Sequence, residues 1–325
     1  MPHPDSSAKN LANNPSLREP RPRMNAAASG SSARPNFLVV GAAKAGTTSL
    51  HEFLGQHPQI FMSANKEPHY FVHGYGVKEW DQYLALFEGV TTQKAVGESS
   101  TLYLCCEESA EWIKSTLGEI KIIIILREPA RRAFSLYGWM VREGYEDAET
   151  FAEALRREPA RLAAPEFRKN SLQFFLDYLY FQTGLYSGQV RRFLEIFGRE
   201  HVKIFLFEDF TKRPLEVCRE IFQFLGVDDQ FTPRVSVQNE GRMPRSISVQ
   251  HALRSHRLGL QFVPRPWRRR LARKLMRLNL RWGKKPELDR PAYEELRGRY
   301  ADDVRALETL LNLDLARWRG ENVKP

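Results

Sequence analysis

The sequence predicts an α/β protein with three layers, in which helices cover both faces of a central parallel sheet. Two apolar runs, Phe37 to Val40 and Lys121 to Leu126, each end in a short loop that leads into a helical pattern. A third run, Val202 to Phe207, lies between two more helical patterns. Strands that are apolar throughout and separated by helices are typical of parallel sheets buried on both faces.

The helices of this plan follow from the spacing of apolar residues. The first is predicted over Thr47 to Leu54, and a second begins at Pro129, because proline suits the first helical turn. The third strand is preceded by a helix through Leu185 to Phe197 and followed by one over Pro214 to Leu225. A last helix is predicted over Pro291 to Leu311.

Composition limits the classes of protein that the chain can belong to. Its 325 residues, 42% of them hydrophobic, are enough for one large domain or two small ones. Residues 1–35 show no apolar period and predict a disordered lead, whereas residues 36–325 predict a single domain. The longest apolar run, Ile122 to Leu126, is far shorter than the roughly 18 residues of a membrane span. Three cysteines without disulfide or zinc spacing predict a reducing, cytoplasmic setting.

The loop after the first strand, Gly41 to Thr48, has the GxxxxG spacing of a phosphate loop between a strand and a helix. Small residues let backbone N–H groups close around an anion, and the helix adds its positive N-terminal end. The version that binds nucleoside triphosphates has lysine directly after the second glycine, but Thr47 stands there and Lys44 lies inside the loop. This difference argues against an ordinary ATPase. A plain glycine-rich turn with a solvent-facing lysine is the alternative.

Residues 44–50 read KAGTTSL and resemble the 5′-phosphosulfate loop of sulfotransferases that use 3′-phosphoadenosine 5′-phosphosulfate (PAPS). The resemblance implies a P-loop-type fold and a PAPS cosubstrate, with no metal required. It implies that Lys44 contacts the oxygen between phosphate and sulfate, where negative charge develops as the bond breaks. The donor-binding residues that it implies here are Lys44, Ala45, Gly46, Thr47, Thr48 and Ser49.

A second anion site is expected where Arg127 follows the isoleucine-rich strand and Ser135 follows eight residues later. Arginine offers planar, charge-assisted donors and serine a hydroxyl, which together suit phosphate oxygens. The segment resembles the 3′-phosphate motif of the same family, although an arginine read alone is more often a surface ion-pair partner. Arg131 and Arg132 are expected to be solvated. Ligands bind beyond the carboxyl ends of parallel strands, so both loops are expected to border one crevice.

The acceptor side is predicted from two segments between these loops. Residues 66–71, KEPHYF, resemble the K-E-x-H-F-F segment of sulfotransferases acting on heparan-type carbohydrates, which implies that Glu67 is the general base. His69 is the alternative base, or it orients Glu67. In the alternative without a function, Glu67 is an ordinary surface charge and His69 an ordinary loop histidine. Residues 97–103 resemble the G-E-K-S-x-x-Y stretch of the same enzymes, but Ser99 replaces its lysine. The acceptor is therefore left open as a hydroxyl, less readily an amine, of a carbohydrate, lipid or small molecule.

The net charge of +10 is concentrated in one segment. Between Gly241 and Pro286 there are fourteen Lys and Arg residues and no Asp or Glu. Arg242 and Arg245 fall where the family places a mobile loop over the donor, and they are assigned to donor binding. Within residues 246–286, Pro266 to Trp282 predict a basic amphipathic helix.

Three roles remain open for this helix. It could contact the inner face of an anionic membrane, present a cationic wall to an acidic acceptor, or pack its apolar stripe on the domain. Specific nucleic-acid recognition is not expected, because no reading motif accompanies the charge.

Two rival functions also remain. A magnesium-dependent P-loop kinase or NTPase is suggested by Val202 to Asp209, an apolar run that ends in acidic residues, but the lysine position disfavours it. A noncatalytic protein that binds polyanions or membranes would use only the basic helix. It would not need Lys44, Arg127, Ser135 and a candidate base together.

Overall fold

The computed structural model describes residues 33–235, 242–255, 265–282 and 290–320. The predicted disordered lead, residues 1–35, lies outside these residues except for its last three. The chain divides into two compact units, residues 1–126 with 189–236 and residues 127–188 with 237–325. Each unit is described by itself.

The first unit contains a five-stranded parallel sheet, which confirms the predicted fold class. Its strands are β1 (Phe37–Gly41), β2 (Ile60–Met62), β3 (Ala95–Ser99), β4 (Lys121–Leu126) and β5 (Val202–Leu206). The strand order is β2-β3-β1-β4-β5, so β1 lies between β3 and β4 at the centre. Every residue of β1 and β3 is buried, as expected for a sheet covered on both faces.

Helices alternate with these strands along the chain, and most of the predicted boundaries are correct to within one residue. Short 3₁₀ turns span residues 85–87, 175–178, 182–184 and 199–201. In chain order the helices are α1 (Thr47–Leu54), α2 (Trp80–Leu84), α3 (Ser109–Leu117), α4 (Pro129–Arg142), α5 (Phe151–Ala163), α6 (Pro165–Asn170), α7 (Tyr186–Phe197), α8 (Phe207–Lys212), α9 (Pro214–Leu225), α10 (Ile247–Arg254), α11 (Arg265–Asn279), α12 (Arg290–Leu311) and α13 (Ala316–Arg319). None of the helices described is long and apolar enough to cross a membrane.

Strand β3 contains Gly97, because the ring of Phe37 on the neighbouring strand occupies the space that a side chain would need. A Cβ atom at Gly97 would lie 2.5 Å from Cζ of Phe37, a distance that real Cβ contacts do not show. Phe37 is fully buried in the core. The glycine therefore serves close packing between β1 and β3.

The second unit is built around α4. Arg132, expected to be solvated, is instead 1% exposed, and its guanidinium donates to Tyr180 O at 2.7 Å and Thr183 Oγ1 at 3.1 Å. The prediction for Arg132 is wrong, because this arginine holds the turns at residues 178–184 against α4. Tyr300 of α12 donates its hydroxyl to the same carbonyl at 3.0 Å. A buried charge is stable only when it is bonded in this way.

The predicted basic helix ends earlier than expected. It ends at Asn279, and residues Leu280–Trp282 form strand β7, antiparallel to β6 (Arg242–Pro244). The side-chain amide of Asn279 donates to Ser246 O at 2.8 Å, and the backbone carbonyl of Asn279 accepts the Arg245 N–H at 2.7 Å. Asn279 thus ends the helix and opens a two-stranded ladder, which periodicity alone does not reveal. Residues 256–264 and 283–286 of the basic segment lie outside the described ranges.

Gly97→Ala is expected to lower the free energy of unfolding by about 1–3 kcal/mol, the usual cost of overpacking a core. Urea denaturation of both proteins would measure this difference. Gly188→Ala is the matched control, because nothing lies within 4 Å of a Cβ atom at that helical position. Equal effects of the two substitutions would contradict the role given to Phe37.

Candidate functional site

The loop between β1 and α1 is a tight turn that depends on two glycines. Ala42 donates its N–H to Ile125 O at 2.7 Å, which fixes the loop to β4. Lys44 and Gly46 have left-handed φ values of 67° and 86°. A Cβ atom at Gly46 would lie 3.2 Å from the rings of Phe207 and Phe210. Glycine is therefore favoured over other residues at position 46, both because the backbone there is left-handed and because little space is left for a side chain.

The N-terminus of α1 offers the groups that an anion needs. Gly46 is the N-cap residue, and no side chain among the described residues caps it. The first-turn amides of a helix that lacks such a cap suit a bound anion. Thr47 is buried, Thr48 is exposed, and Lys44 and Ser49 are half-buried, whereas Ala45 is fully buried and shapes the loop. The loop fits a phosphate or sulfate group.

Glu67 is the centre of a charged cluster. Lys66 Nζ lies 2.6 Å from Oε1, while His69 Nε2 and Thr101 Oγ1 lie 3.1 Å and 3.3 Å from Oε2. Burial alone would raise the pKa of Glu67, but the His69 hydrogen bond and the Lys66 charge outweigh it and lower the pKa to about 2. Glu67 is therefore ionised at neutral pH, and the expectation of a plain surface carboxylate does not fit it.

The backbone around this cluster is strained. Glu67 and His69 both have left-handed conformations, with φ values of 64° and 52°. Such residues are uncommon outside glycine and are held in place by their surroundings. Here the Glu67 N–H donates to Ser99 O at 2.9 Å, and the His69 N–H donates to Ser100 Oγ at 3.0 Å. The end of β3 thus determines how both side chains are presented.

The tautomer of His69 follows from its partner. The residue is 6% exposed, and its Nδ1 has no hydrogen-bond partner in the part of the chain that the structure describes. An ionised carboxylate only accepts, so Nε2 carries the proton that faces Glu67. The proton on this nitrogen fits a role in orienting Glu67.

Glu98 lies behind the cluster and was not singled out by sequence reasoning. Its side chain is fully buried and accepts hydrogen bonds from Ser100 Oγ at 2.9 Å and Tyr83 OH at 3.4 Å. Burial raises its pKa to about 7, although the hydrogen bonds from Ser100, Tyr103 and Tyr83 oppose the shift. Because Ser100 also accepts the His69 N–H, Glu98 supports the strained segment through one intervening hydroxyl.

Ser99, where the carbohydrate enzymes have lysine, forms a second polar pair. Its Oγ lies 2.9 Å from His51 Nδ1 on α1. Burial, together with the charge of Lys66, lowers the pKa of His51 to about 4. The pair is therefore polar but uncharged at neutral pH. His51 was also missed by sequence reasoning, because no motif marks it.

The loop between β1 and α1, residues 42–46, is called the anion loop below, and Glu67 with Lys66, His69 and Thr101 is called the Glu67 cluster. Both lie at the same edge of the sheet. Ser100 and Leu104 donate their N–H groups to Val39 O and Val40 O, at 3.1 Å and 2.9 Å. A Cβ atom at Gly41 would lie 3.2 Å from Thr101 O. Thr101, which donates to Glu67, therefore also lies beside the start of the loop. The first unit brings together two of the predicted groups of site residues.

The other predicted residues belong to the second unit. Arg127 directly follows β4, and Ser135 lies on α4; both are half-buried. Glu128 caps α4 by accepting the N–H groups of Ala130 and Arg131 at 3.0 Å and 2.7 Å. Because the Glu128 carboxylate already accepts these N–H groups, an anion bound near the N-terminus of α4 would depend on side chains such as Arg127 and Ser135 for its hydrogen bonds.

Arg242 lies in β6 and Arg245 is exposed just after it. The described part of the expected mobile loop is thus a strand. Asn239 to Gly241 of that loop lie outside the described ranges.

Comparison with known proteins identifies relatives of the chain. Residues 34–240 match the family described as Sulfotransferase domain. The crystal structure of a sulfotransferase from Alicyclobacillus acidocaldarius is 33% identical, with a TM-score of 0.64 over 88% of this chain and 99% of that chain.

Two curated relatives are more distant. Membrane-associated sulfotransferase kil1 of Dictyostelium discoideum is 26% identical over 63% of this chain and 60% of its own length. Heparan sulfate glucosamine 3-O-sulfotransferase 5 of Homo sapiens is 28% identical over 63% of this chain and 56% of its own length. The chain therefore spans less than two thirds of either relative.

Glu98 makes the stability of the fold depend on pH. Its pKa rises from 4.5 to about 7 on folding, so the folded chain binds this proton more tightly. The free energy of unfolding is then expected to fall as pH rises from about 4.5 to 7, by about 3 kcal/mol in total. Glu98→Gln removes this contribution, and urea denaturation at pH 5 and pH 8 measures it.

The exposed residue Glu88 provides the control for this experiment. Glu88→Gln should keep the pH dependence of the unmodified protein, whereas Glu98→Gln should flatten it. Parallel curves for all three proteins would show that Glu98 does not hold a proton in the folded state.

Proposed function

Because the chain belongs to the sulfotransferase domain family, we propose that it transfers the sulfuryl group of PAPS to a hydroxyl group of an acceptor. One observation carries the proposal: the anion loop and the ion-paired Glu67 lie at one edge of the sheet, joined through Thr101. A loop for the donor and a carboxylate for the acceptor are the two parts that such a transfer needs.

At the donor end, the 5′-phosphosulfate is assigned to Lys44, Ala45, Gly46, Thr47, Thr48 and Ser49. The left-handed turn at Gly46 and the α1 amides support this assignment. Lys44 stabilises the negative charge that develops on the leaving phosphate. Arg127 and Ser135 are assigned to the 3′-phosphate, and Arg242 and Arg245 contribute further positive charge for the donor.

At the acceptor end, Glu67 receives the hydroxyl proton. A carboxylate has about four lone-pair sites. Lys66 uses one on Oε1, and His69 and Thr101 use the two on Oε2, which leaves one on Oε1 for an acceptor. With a pKa of about 2, Glu67 is a weak base, so the proton moves late, as the new S–O bond makes the hydroxyl acidic. His69 orients Glu67 through its Nε2 proton.

The acceptor in our proposal is a hydroxyl group of a carbohydrate, a lipid or another small molecule. A relative named for heparan sulfate glucosamine supports a sugar hydroxyl. The uncharged pair of His51 and Ser99 favours an acceptor whose neighbouring groups are polar rather than strongly anionic.

Lys44→Ala is expected to lower sulfuryl transfer about 10²–10³-fold, the usual loss when a group that stabilises developing charge is removed. A source-cell extract supplied with radiolabelled PAPS provides the acceptor, and mass analysis of the labelled product identifies it. Lys212→Ala, at an exposed lysine elsewhere, should transfer label normally. Transfer should also persist with a chelator.

The kinase alternative predicts a different result in a nucleotide-binding measurement. Magnesium-dependent binding of ATP, with no binding of adenosine 3′,5′-bisphosphate, would contradict the proposed donor. Unchanged thermal unfolding of Lys44→Ala would show that its loss of transfer is not a loss of fold.

Glu67→Gln is expected to reduce turnover about 10²–10⁴-fold, because the amide cannot take the acceptor proton. Donor affinity, measured by calorimetric titration with adenosine 3′,5′-bisphosphate, should stay within about a factor of two to three, since uncharged glutamine leaves the α1 loop in place. Near-normal turnover of this variant would remove Glu67 from the role of base.

A further inference from the structure

Helix α11 has three distinct faces. At about 100° per residue, Ala272 and Met276 share one face, and both are buried. A second face, within an arc of roughly 80°, consists of large apolar residues. A third face is basic. The apolar residues of the second face are Trp267, Leu271, Leu275 and Leu278; the described basic residues are Arg270, Arg273, Lys274 and Arg277.

The large apolar face is turned away from the protein. Trp267 and Leu278 are 64% and 63% exposed, and Leu271 and Leu275 are 39% and 37% exposed. Other exposed apolar residues of the described chain occur singly on separate segments, which is normal for a protein surface. Four on one stripe of one helix are different, because contiguous apolar surface of this kind marks an interaction site. Of the three roles left open for this helix, packing of the stripe on the domain does not fit these exposures.

The helix is nevertheless held firmly in place. Asn279 at its end donates to Ser246 O and to Gln250 Oε1 at 2.8 Å and 2.9 Å. From α10, Gln250 donates to Arg142 O at 2.8 Å, and Arg254 donates to Glu143 O at 2.6 Å. The exposed stripe thus belongs to a helix anchored through α10 to the end of α4.

Charge complementarity indicates what covers the stripe. Residues 241–286 contain fourteen basic residues and no acidic one, so the potential around α11 is strongly positive. A soluble polyanion would be bound by the basic face but would leave Trp267 and the leucines in water. An anionic bilayer satisfies both faces, because it offers negative headgroups and an apolar interior side by side.

We propose that α11 docks this protein on anionic lipid membranes. Trp267, Leu271, Leu275 and Leu278 enter the boundary between headgroups and acyl chains, with the helix axis parallel to the membrane plane. The basic face, formed by Arg270, Arg273, Lys274 and Arg277, binds the headgroups. This surface is independent of the donor loop and of Glu67, so it can be tested without knowledge of the acceptor.

The test is sedimentation of the full chain with vesicles of phosphatidylcholine alone or mixed with phosphatidylserine. Binding is expected only to the mixed vesicles and should weaken as salt is added. The triple variant Arg270→Gln, Arg273→Gln and Arg277→Gln should lose about a hundredfold in partitioning, since each basic residue contributes about fivefold. The double variant Leu271→Ser and Leu278→Ser should lose binding while all charges remain.

Matched controls separate this surface from general charge and hydrophobicity. Arg156→Gln, Lys212→Gln and Arg219→Gln remove three exposed charges elsewhere, and Leu215→Ser with Leu313→Ser removes two exposed leucines elsewhere. Both controls should bind like the unmodified protein, and circular dichroism should show that every variant is folded.

Four results would overturn the proposal. The first is equal binding to neutral and mixed vesicles, and the second is binding by the double leucine variant at the unmodified level. The third is a protein that does not bind vesicles and self-associates through this surface, so that the double leucine variant abolishes the self-association. Retention on a heparin column without any vesicle binding would likewise assign the basic face to a soluble polyanion and contradict membrane docking.

Discussion

The parallel pairing of β1 with β3 on one side and β4 on the other is the constraint on which the site depends. Val39 is opposite Ser99 and Ile123 in this pairing, so three chain segments leave the sheet at the same edge. One becomes the anion loop, and one becomes the turn of Ser100 and Thr101 that holds Glu67 and His69. The third continues directly into Arg127. The pairing of the strands therefore determines where each of these three segments begins, independently of the side chains that the segments carry.

Two carboxyl groups at this edge are driven in opposite directions by their surroundings. Glu67, beside Lys66 and His69, has a pKa of about 2, whereas the buried Glu98 has a pKa of about 7. Environments that separate two such groups commonly separate their roles as well. Glu67 is the charged group that faces the acceptor in our proposal. Glu98 has a structural role instead, because it accepts a hydrogen bond from the Ser100 hydroxyl that in turn holds the left-handed backbone at His69.

Sequence reasoning was most successful where the signal was local. Continuous apolar runs identified β1, β4 and β5, and glycine spacing identified the loop at Gly46. Strands β2 and β3 were missed, because one has three residues and the other, AVGES, contains a glycine and two polar residues. Glu98, His51 and the burial of Arg132 depend on neighbours distant in the chain. The orientation of α11 was also unpredictable, because periodicity shows that a helix has faces but not which one is covered.

The link from α11 through α10 to the end of α4 has a mechanical consequence. Arg127 precedes α4 at one end, and the hydrogen bonds from α10 meet α4 at the other, about 21 Å away along 14 helical residues. Helix α4 is thus a spacer of fixed length between the proposed lipid-binding face and the proposed 3′-phosphate motif. In our proposal, a chain docked through α11 therefore holds Arg127 at a set distance from the bilayer surface, a distance that the length of α4 determines.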